Sequence, residues 1–249
     1  MIIRKSPDEI ELMRRAGSVV VKAFEAVREQ IRPGVKTSAL DAVIERLIRG
    51  EGCVPSFKGY RGFPASACIS LNEEIVHGIP GRRKLRDGDL VKIDVGAIYE
   101  GYHGDSAWTF YVGDDMPPEI EKLMRAGEDS LWAGIEQLRV GNRISDISHA
   151  VQQVAEGAGF SVVREYVGHG LGRELHEDLQ IPNYGPPGRG PKIEAGMTVA
   201  IEPMVNAGGW QTEVLGDGWT VVTADRSLSV HFEHSIAVTE GDPLILTAA

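Results

Sequence analysis

The chain of 249 residues contains two copies of one pattern, and this repeat restricts its fold more than any other feature. The segment 32–52 aligns without a gap on the segment 139–159, at an offset of 107 residues. Both segments begin with Arg-x-Gly and end with Gly-x-Gly. No low-complexity linker separates the copies. We therefore predict one catalytic domain over residues 1–249, built from two pseudo-symmetric halves at about 1–115 and 116–249.

Each half begins with two predicted helices. Apolar residues recur at helical spacing over 10–31 and 120–138, and each of these helices is predicted to stop at a glycine. The sequence Ser-Pro-Asp-Glu at 6–9 is a strong start signal, because serine caps, proline suits the first helical position and glutamate completes a capping box. A second helix is predicted over 38–50 and again over 145–157, each ending at a glycine that supplies a left-handed helix end.

Strand patterns follow the helices and repeat as well. The segment 88–94 matches 196–202 at an offset of 108, which aligns Asp94 with Glu202. Further along, 103–108 matches 231–236, which aligns Asp105 with Glu233 after a longer loop in the second copy. We predict an α/β (α+β) fold of two αα–ββ halves, with an antiparallel sheet that contributes two acids from each half.

The four aligned acids point to a metal site. A hairpin centred between residues 99 and 100 would place Asp94 and Asp105 directly opposite each other, where like charges repel. Any one of these acids alone would be read as an ordinary surface acid of an acidic protein, but four at matched positions favour a shared site. Clustered carboxylates require cations or protons, and oxygen ligands with one imidazole suit Mn, Fe, Co or Zn.

The expected imidazole ligand is His169, between Gly168 and Gly170. These glycines are predicted to let the backbone bend tightly and the substrate approach. The stretch lacks the spacing of a phosphate loop, and Gln180 stands where a zincin would carry its second histidine. No nucleophile elbow occurs in the chain. Metal-assisted attack by water remains, with two ions roughly 3.5 Å apart sharing one water.

Composition excludes several other classes. A net charge of −10 disfavours the extended cationic surface that nucleic-acid binding requires. The two cysteines, Cys53 and Cys68, exclude a disulfide framework and are expected to be reduced thiols. The first residues show no apolar signal region, and no apolar stretch is of membrane-spanning length, so we expect a cytoplasmic protein without a membrane partner.

At this point the sequence resembles the type I methionine aminopeptidases of the bacterial kind, over essentially its whole length. The motifs that carry the resemblance are NEEIVHGIP at 72–80, ID at 93–94, HGD at 103–105, GHGLGRELHE at 168–177, AIEPM at 200–204, DGW at 217–219 and FEH at 232–234. Each is modest alone, but in this order they are highly specific. The resemblance implies the pita-bread fold and removal of the initiator methionine from nascent polypeptides whose second residue is small.

The resemblance also implies a role for each ligand. Asp105 and Glu233 would bridge two divalent ions (Co, Mn, Fe(II) or Zn), Asp94 would bind the second ion, and His169 with Glu202 would complete the first. The bridging hydroxide would attack the first peptide carbonyl.

Further roles are implied beside the metals. Glu202 would also handle the proton from water, His176 would contact the scissile carbonyl, and His77 would contact the scissile amide on the leaving side. The alternative for His77 and His176 is a structural loop histidine. The remaining histidines are predicted to be structural: His103, His149, His231 and His234.

A soft apolar pocket should bind the methionine side chain, which gains mainly from burial and from contacts with rings. The corresponding residues are Phe57, Tyr60, Phe63, Cys68, Leu175 and Trp219. Core packing is the alternative explanation for each of them taken singly.

Two further features follow from the resemblance. Asn72 and Ser229 fall where relatives hold a monovalent cation through backbone oxygens. The chain also differs from residues that are frequent in bacterial relatives. These differences are expected to affect the shape of the pocket mouth and the affinity for the second metal. They are Arg61 for histidine, Phe57 for cysteine, Leu175 for phenylalanine and Gly96 for threonine.

Three other functions compete with this one. The nearest is an Xaa-Pro aminopeptidase or dipeptidase on the same fold, which usually carries a large extra N-terminal domain. A catalytically inactive pita-bread binding protein would not need all five ligands. A metal-dependent phosphatase would require more cationic residues near the ligands. The predicted partners are nascent N-terminal segments, with the ribosome near its tunnel exit as a further candidate and no DNA, and the protein is expected to be a monomer.

Overall fold

The computed structural model of the protein describes residues 2–248, so the predicted domain bounds at residues 1 and 249 lie outside the described part. The first half contains α1 (Pro7–Arg28), α2 (Thr37–Gly50), β1 (Val54–Pro55), a 3-10 turn (Tyr60–Gly62), β2 (Ala67–Leu71), β3 (Glu74–Val76), β4 (Leu90–Tyr99) and β5 (Tyr102–Tyr111). The second half contains α3 (Pro118–Glu136), α4 (Ile144–Gly157), β6 (Ser161–Val162), β7 (Gly168–Gly170), β8 (Glu177–Ile181), β9 (Thr198–Ile201), β10 (Met204–Asn206), β11 (Thr212–Val214), β12 (Val221–Thr223), β13 (Ser229–His231), β14 (His234–Ala237) and β15 (Leu244–Ile245).

The α/β class with two similar αα–ββ halves is confirmed. In each half a long helix precedes a helix of 14 residues, and antiparallel strands follow. The antiparallel pairing is divided among four sheets. In the first half β4 pairs with β1, β2 and β5, and in the second half β9 lies between β14 and β7. The four acids therefore belong to two different sheets, one in each half: Asp94 and Asp105 lie in the first, and Glu202 and Glu233 adjoin strands of the second.

The long helices cover the strands that carry the acids. Helix α1 packs against β4 and β5, and α3 packs against β9, β10 and β13. Each half has its own apolar core between its helices and its strands. This burial holds β4, β5 and β9 at fixed positions, which is what a site shared between the halves requires.

The helix start was predicted correctly. The Ser6 hydroxyl accepts from the Glu9 backbone N–H at 3.3 Å, and the Ser6 backbone N–H donates to the Glu9 carboxylate at 2.9 Å. This capping box satisfies donors that the first turn of a helix leaves free.

The predicted helix ends were partly wrong. Helices α1 and α3 end at Arg28 and Glu136, six and five residues before Gly34 and Gly141, the glycines that were expected to stop them. Tight i to i+3 bonds close the end of α1 instead, for example from the Gln30 N–H to the Val27 carbonyl at 2.8 Å. Helices α2 and α4 do end at glycines, but the left-handed residues are Gly52 and Gly159, two positions later.

No helix in the described range 2–248 is long and apolar enough to cross a membrane.

Candidate metal centre

Asp94 and Asp105 lie on the hairpin of β4 and β5. Asp94 pairs with Ala107 and Asp105 pairs with Gly96, so the two acids are diagonal neighbours on one face. The prediction that they would lie directly opposite each other is wrong, because the turn falls one residue later. Its two loop residues, Glu100 and Gly101, have φ values of 47° and 81°, the left-handed pair that a tight two-residue hairpin turn uses.

The other two acids and the histidine surround the end of β9. Glu202 directly follows β9, and Glu233 directly precedes β14, whose His234 pairs with Ile201. On the other side of β9, His169 in β7 pairs with Ala200. The antiparallel pairing thus brings three residues that are far apart in sequence to one end of this sheet.

The structure brings all five predicted ligands into one cavity of about 410 Å³. Ligand atoms of Asp105, His169 and Glu233 lie within 4.8 Å of one another. The Glu202 carboxylate lies 3.4 Å from His169 Nε2, and Asp94 lines the same cavity. These five residues are named the metal cage below.

The electrostatics of the metal cage fit divalent cations. Burial raises the pKa of Asp105 to about 7 and raises the pKa values of Asp94, Glu202 and Glu233 well above the usual range, and neighbouring carboxylates add to the latter three shifts. Burial lowers the pKa of His169 to about 3, which keeps its imidazole neutral and able to bind a metal.

Several polar atoms of the site have no protein partner. Asp94 Oδ1, Asp105 Oδ1 and Glu233 Oε1 are buried and accept no hydrogen bond within the described residues. A buried carboxylate oxygen without a partner is costly, and a bound cation removes that cost. The three carboxylate oxygens and the neutral imidazole together form a donor set for hard or borderline divalent ions.

The glycines beside His169 lie in β7, and neither has a positive φ, so the predicted tight turn is absent. The strand is locally irregular, because its pairing with β8 shifts register between His169 and Gly170. A Cβ on Gly168 would come within 2.5 Å of the Ala200 carbonyl oxygen. The missing side chain thus allows β7 to approach β9 closely enough to place His169 beside Glu202.

The six predicted pocket residues form one cluster on the wall of the cavity. Phe57, Phe63, Cys68 and Leu175 are buried, and Tyr60 and Trp219 pack against them. The ring centroids of Phe63 and Trp219 are 5.1 Å apart, in an edge-to-face contact. Cys68 in β2 pairs with Asp94, so this apolar pocket adjoins the metal cage.

His77 and His176 both line the cavity, as predicted. The His77 ring contacts the edges of Tyr166 and Trp219, and burial lowers its pKa to about 4. His176 Nδ1 lies 2.8 Å from the Tyr60 hydroxyl, and its ring centroid is 4.3 Å from that of His169. Desolvation, followed by the charge of Arg61, lowers the pKa of His176.

His231 is a cavity residue that was assigned to structure alone. Its side chain is 2% exposed, and its Nε2 lies 3.7 Å from Glu202 Oε2 and 4.0 Å from Glu233 Oε2. The sequence signal was the position two residues before Glu233, on the same strand face. His103 and His234, which were predicted to be structural, are buried, and their Nδ1 atoms lie 2.9 Å from the hydroxyl groups of Ser56 and Thr247, respectively.

Two of the departures from bacterial relatives are linked in space. A Cβ on Gly96 would lie 2.6 Å from Ser56 Cβ and 2.9 Å from Phe57 Cε1. The Phe57 ring therefore occupies space that a side chain at position 96 would need. Gly96 is the residue that allows Phe57 to line the pocket beside the metal cage.

The amino group of Lys92 occupies the position beside Asn72 and Ser229 where a monovalent cation was expected. Its Nζ donates to the carbonyl oxygens of Asn72 at 2.6 Å and Ser229 at 3.0 Å. Burial lowers the pKa of Lys92 to about 7, although the carboxylates of Glu74 and Glu73 act in the opposite direction.

Comparison with known proteins identifies relatives of this site. Residues 11–240 match the model of metallopeptidase family M24. The chain is 53% identical to methionine aminopeptidase 1 of Bacillus subtilis, over 99% of both proteins. It superposes on the crystal structure of a methionine aminopeptidase from Thermotoga maritima with a TM-score of 0.98, at 46% identity and full coverage of both chains. A prolidase from Pyrococcus furiosus shares the fold, with a TM-score of 0.81 at 23% identity over 99% of this chain and 66% of that protein.

Metal binding should raise the unfolding temperature of the wild type, and it should raise that of the Glu233→Gln variant much less. Without metal, the variant is expected to unfold at or slightly above the wild-type temperature, because the substitution removes a buried charge that lacks a partner. At a Mn(II) concentration of 100 times the Kd, the wild type should gain about 5–10 °C and the variant much less. Differential scanning fluorimetry with Glu25→Gln, an exposed acid on α1, as the control measures both effects. An equal gain in Glu233→Gln would contradict the assignment of this ligand.

The contact between Phe57 and position 96 predicts a coupled pair of substitutions. Gly96→Ala should lower the free energy of unfolding by about 1–3 kcal/mol, because the added methyl group enters filled space. In a Phe57→Cys background the same change should cost less by the part due to the Phe57 ring, while the tighter contact with Ser56 remains. Urea unfolding of the four proteins of this cycle gives the coupling, and equal costs in both backgrounds would show that the two positions are independent.

Proposed function

The chain belongs to metallopeptidase family M24, and we propose that it acts as a methionine aminopeptidase, which hydrolyses the first peptide bond of nascent proteins whose second residue is small. One observation carries this conclusion: all five metal-ligand candidates line one cavity, and an apolar cluster suited to a methionine side chain forms a wall of the same cavity. The relatives named methionine aminopeptidase align over 99% of the chain and support the same activity.

The proposed cage holds two divalent ions. Asp105 and Glu233 would be shared by both ions, Asp94 would hold the second, and His169 with Glu202 would complete the first. The grouping of the ligand atoms of Asp105, His169 and Glu233 within 4.8 Å supports this arrangement. When bound, the two ions supply an activated water and polarise the scissile carbonyl. The ligand set accepts Co, Mn, Fe(II) or Zn, and supply in the cell selects among them.

Glu202 is proposed to take the proton from the attacking water. Its carboxylate opens into the cavity, and desolvation together with the Asp105 charge raises its pKa. A carboxylate with a raised pKa is a stronger base and can pass the proton on to the leaving amine. His231 Nε2 lies 3.7 Å from this carboxylate, beyond hydrogen-bond range, and is itself a buried polar atom with no hydrogen-bond partner within the described residues.

His176 is proposed to bind the scissile carbonyl oxygen. If its Nδ1 accepts the hydrogen bond from the Tyr60 hydroxyl, its Nε2 carries the proton and can donate it to the substrate. His77 is proposed to contact the scissile amide on the leaving side. Burial lowers its pKa to about 4, so the ring is neutral at pH 7 and can both donate and accept.

The cluster of Phe57, Tyr60, Phe63, Cys68, Leu175 and Trp219 is proposed to bind the methionine side chain. Aromatic faces and a thiol suit a polarisable thioether. The Phe63 and Trp219 rings, in edge-to-face contact, supply aromatic surface for this thioether. Gly96 and Phe57 together set the pocket shape next to Asp94.

The rival functions fit less well. The prolidase likeness, at 23% identity, establishes the fold alone. A phosphatase would need several cations at the cavity, whereas Arg61 is the one lysine or arginine among the described lining residues. A binding protein would gain nothing from buried acids whose oxygens lack partners.

The proposed substrate also supports a cytoplasmic location, since nascent N-termini emerge there, and the protein is proposed to act as a monomer. Ribosome contact remains a prediction from the resemblance. A monovalent cation at Asn72 and Ser229 is not part of the proposal, because the Lys92 amino group already bonds both carbonyls.

Peptide hydrolysis tests the proposed function. With added Mn(II), Fe(II) or Co(II), the protein should release methionine from Met-Ala-Ser and not from Met-Leu-Ser, because the second side chain meets the cavity wall. Glu202→Gln should lower kcat about 100-fold or more, since the amide cannot accept a proton. Chromatographic detection of free methionine, with Glu25→Gln as the control, provides the measurement.

Two outcomes would redirect the assignment. Cleavage of Xaa-Pro peptides in place of Met-Ala-Ser would identify the prolidase-type rival. A folded, metal-bound protein that cleaves no peptide would favour the binding-protein reading.

A further inference from the structure

Lys92 is a buried amine on the strand that carries Asp94. It is the third residue of β4, two residues before Asp94 and on the same strand face, and it is 1% exposed. Buried lysines are rare, because removing an amine from water is costly unless polar partners replace the water. The partners of Lys92 are backbone carbonyl oxygens, at 2.6 Å from Asn72 and 3.0 Å from Ser229.

The two carbonyls come from different halves of the chain. Asn72 lies in the turn between β2 and β3, in a left-handed conformation with φ 54°, and Ser229 begins β13. The Ser229 N–H also donates to the Asn72 carbonyl, at 3.1 Å. Lys92 therefore stands at a point where the two halves of the molecule are joined.

The geometry of the Asn72 turn is held by other bonds. The Asn72 side chain accepts from the Leu90 N–H at 2.9 Å and donates to Asp89 at 2.9 Å. The turn is thus fixed to the start of β4, and its carbonyl is aimed into the interior, at Lys92. β13 runs from Ser229 to His231, and Glu233 follows two residues later. The contact between Lys92, Asn72 and Ser229 is therefore close along the chain to ligands of both halves, Asp94 on β4 and Glu233 after β13.

Two carbonyl oxygens that converge on one point inside the molecule favour a partner with N–H donors or positive charge, since each oxygen carries a partial negative charge. Two kinds of group meet that need: an amine with several N–H donors, or a cation that takes oxygen ligands. An ion bound to these two oxygens would lie against the Lys92 amino group, where like charges repel. One site cannot hold both.

We propose that the Lys92 amino group is a built-in substitute for a monovalent cation, which fills the carbonyl-lined site between Asn72 and Ser229 and joins the two halves of the metal cage. Lys92 acts through the positions of β4 and β13 and is a positioning residue. The protein is then independent of Na⁺ and K⁺. This inference does not depend on the proposed activity, because its consequences are measured on stability.

The first experiment uses the wild type. Its thermal unfolding midpoint is measured in NaCl, KCl and tetramethylammonium chloride at one ionic strength. The proposal predicts the same midpoint in all three salts. A saturable increase that is specific for Na⁺ or K⁺ would overturn it, because an ion would then occupy the site that Lys92 is said to fill.

The second experiment makes the protein depend on a cation. Lys92→Ser removes the amine and opens space, whereas Lys92→Met removes the amine but keeps the space filled. In tetramethylammonium chloride both variants should unfold about 5–10 °C below the wild type, since the Asn72 and Ser229 carbonyls each lose their hydrogen bond from the amine. Na⁺, K⁺ or ammonium should restore most of that loss in Lys92→Ser and little of it in Lys92→Met.

The matched control is Lys84→Ser, which removes an exposed lysine and should show no dependence on the cation. The affinity for Mn(II), measured by calorimetry, should follow the midpoints, falling in Lys92→Ser and returning with K⁺. Equal rescue of Lys92→Ser and Lys92→Met, or rescue of neither, would overturn the proposal. If both variants fail to fold, the wild-type comparison still decides.

Discussion

The desolvation and mutual repulsion of four carboxyl groups in one cavity is the constraint on which the rest of the structure depends. Asp105 and Glu233 are 4% and 2% exposed, and Asp94 and Glu202 open only into the cavity. Burial raises all four pKa values, neighbouring carboxylates raise those of Asp94, Glu202 and Glu233 further, and three of the oxygens have no protein partner within the described residues. Such a group of acids is stable only with bound cations or protons. The strands and helices around the four acids must therefore hold them in position, because the acids repel one another.

The frame consists of two similar halves that each present two acids. Strands β4 and β5 supply one pair, and the ends of β9 and β13 supply the other, with His169 from β7 beside them. Contacts between the halves set the spacing of the cage. Asp105 exchanges bonds with Ser235 through its backbone N–H at 2.9 Å and its carbonyl at 2.6 Å, and Lys92 bridges to Ser229 deeper in the molecule. The substrate pocket uses the same strands, since Cys68 pairs with Asp94.

Much of this arrangement could be predicted from the sequence, because the repeat aligned the acids in pairs and amphipathic helices are strongly periodic. The position of the β4–β5 turn could not, since a left-handed Glu100 is unusual for a residue with a side chain, and a shift of one residue moved Asp94 from opposite Asp105 to its diagonal. His231, Lys92 and the Gly96–Phe57 contact also escaped prediction. Their roles arise from contacts between distant segments, and local patterns do not encode those distances.

A crystal structure of the protein with Mn(II), phased on anomalous differences, tests the central claim most directly. The account predicts two anomalous peaks in the cavity, roughly 3.5–4 Å apart. One should lie within bonding distance of His169 Nε2 and Glu202, the other next to Asp94, and both next to Asp105 and Glu233. Saturating metal with no peak in the cavity, or with ions bound only outside the five residues, would contradict it.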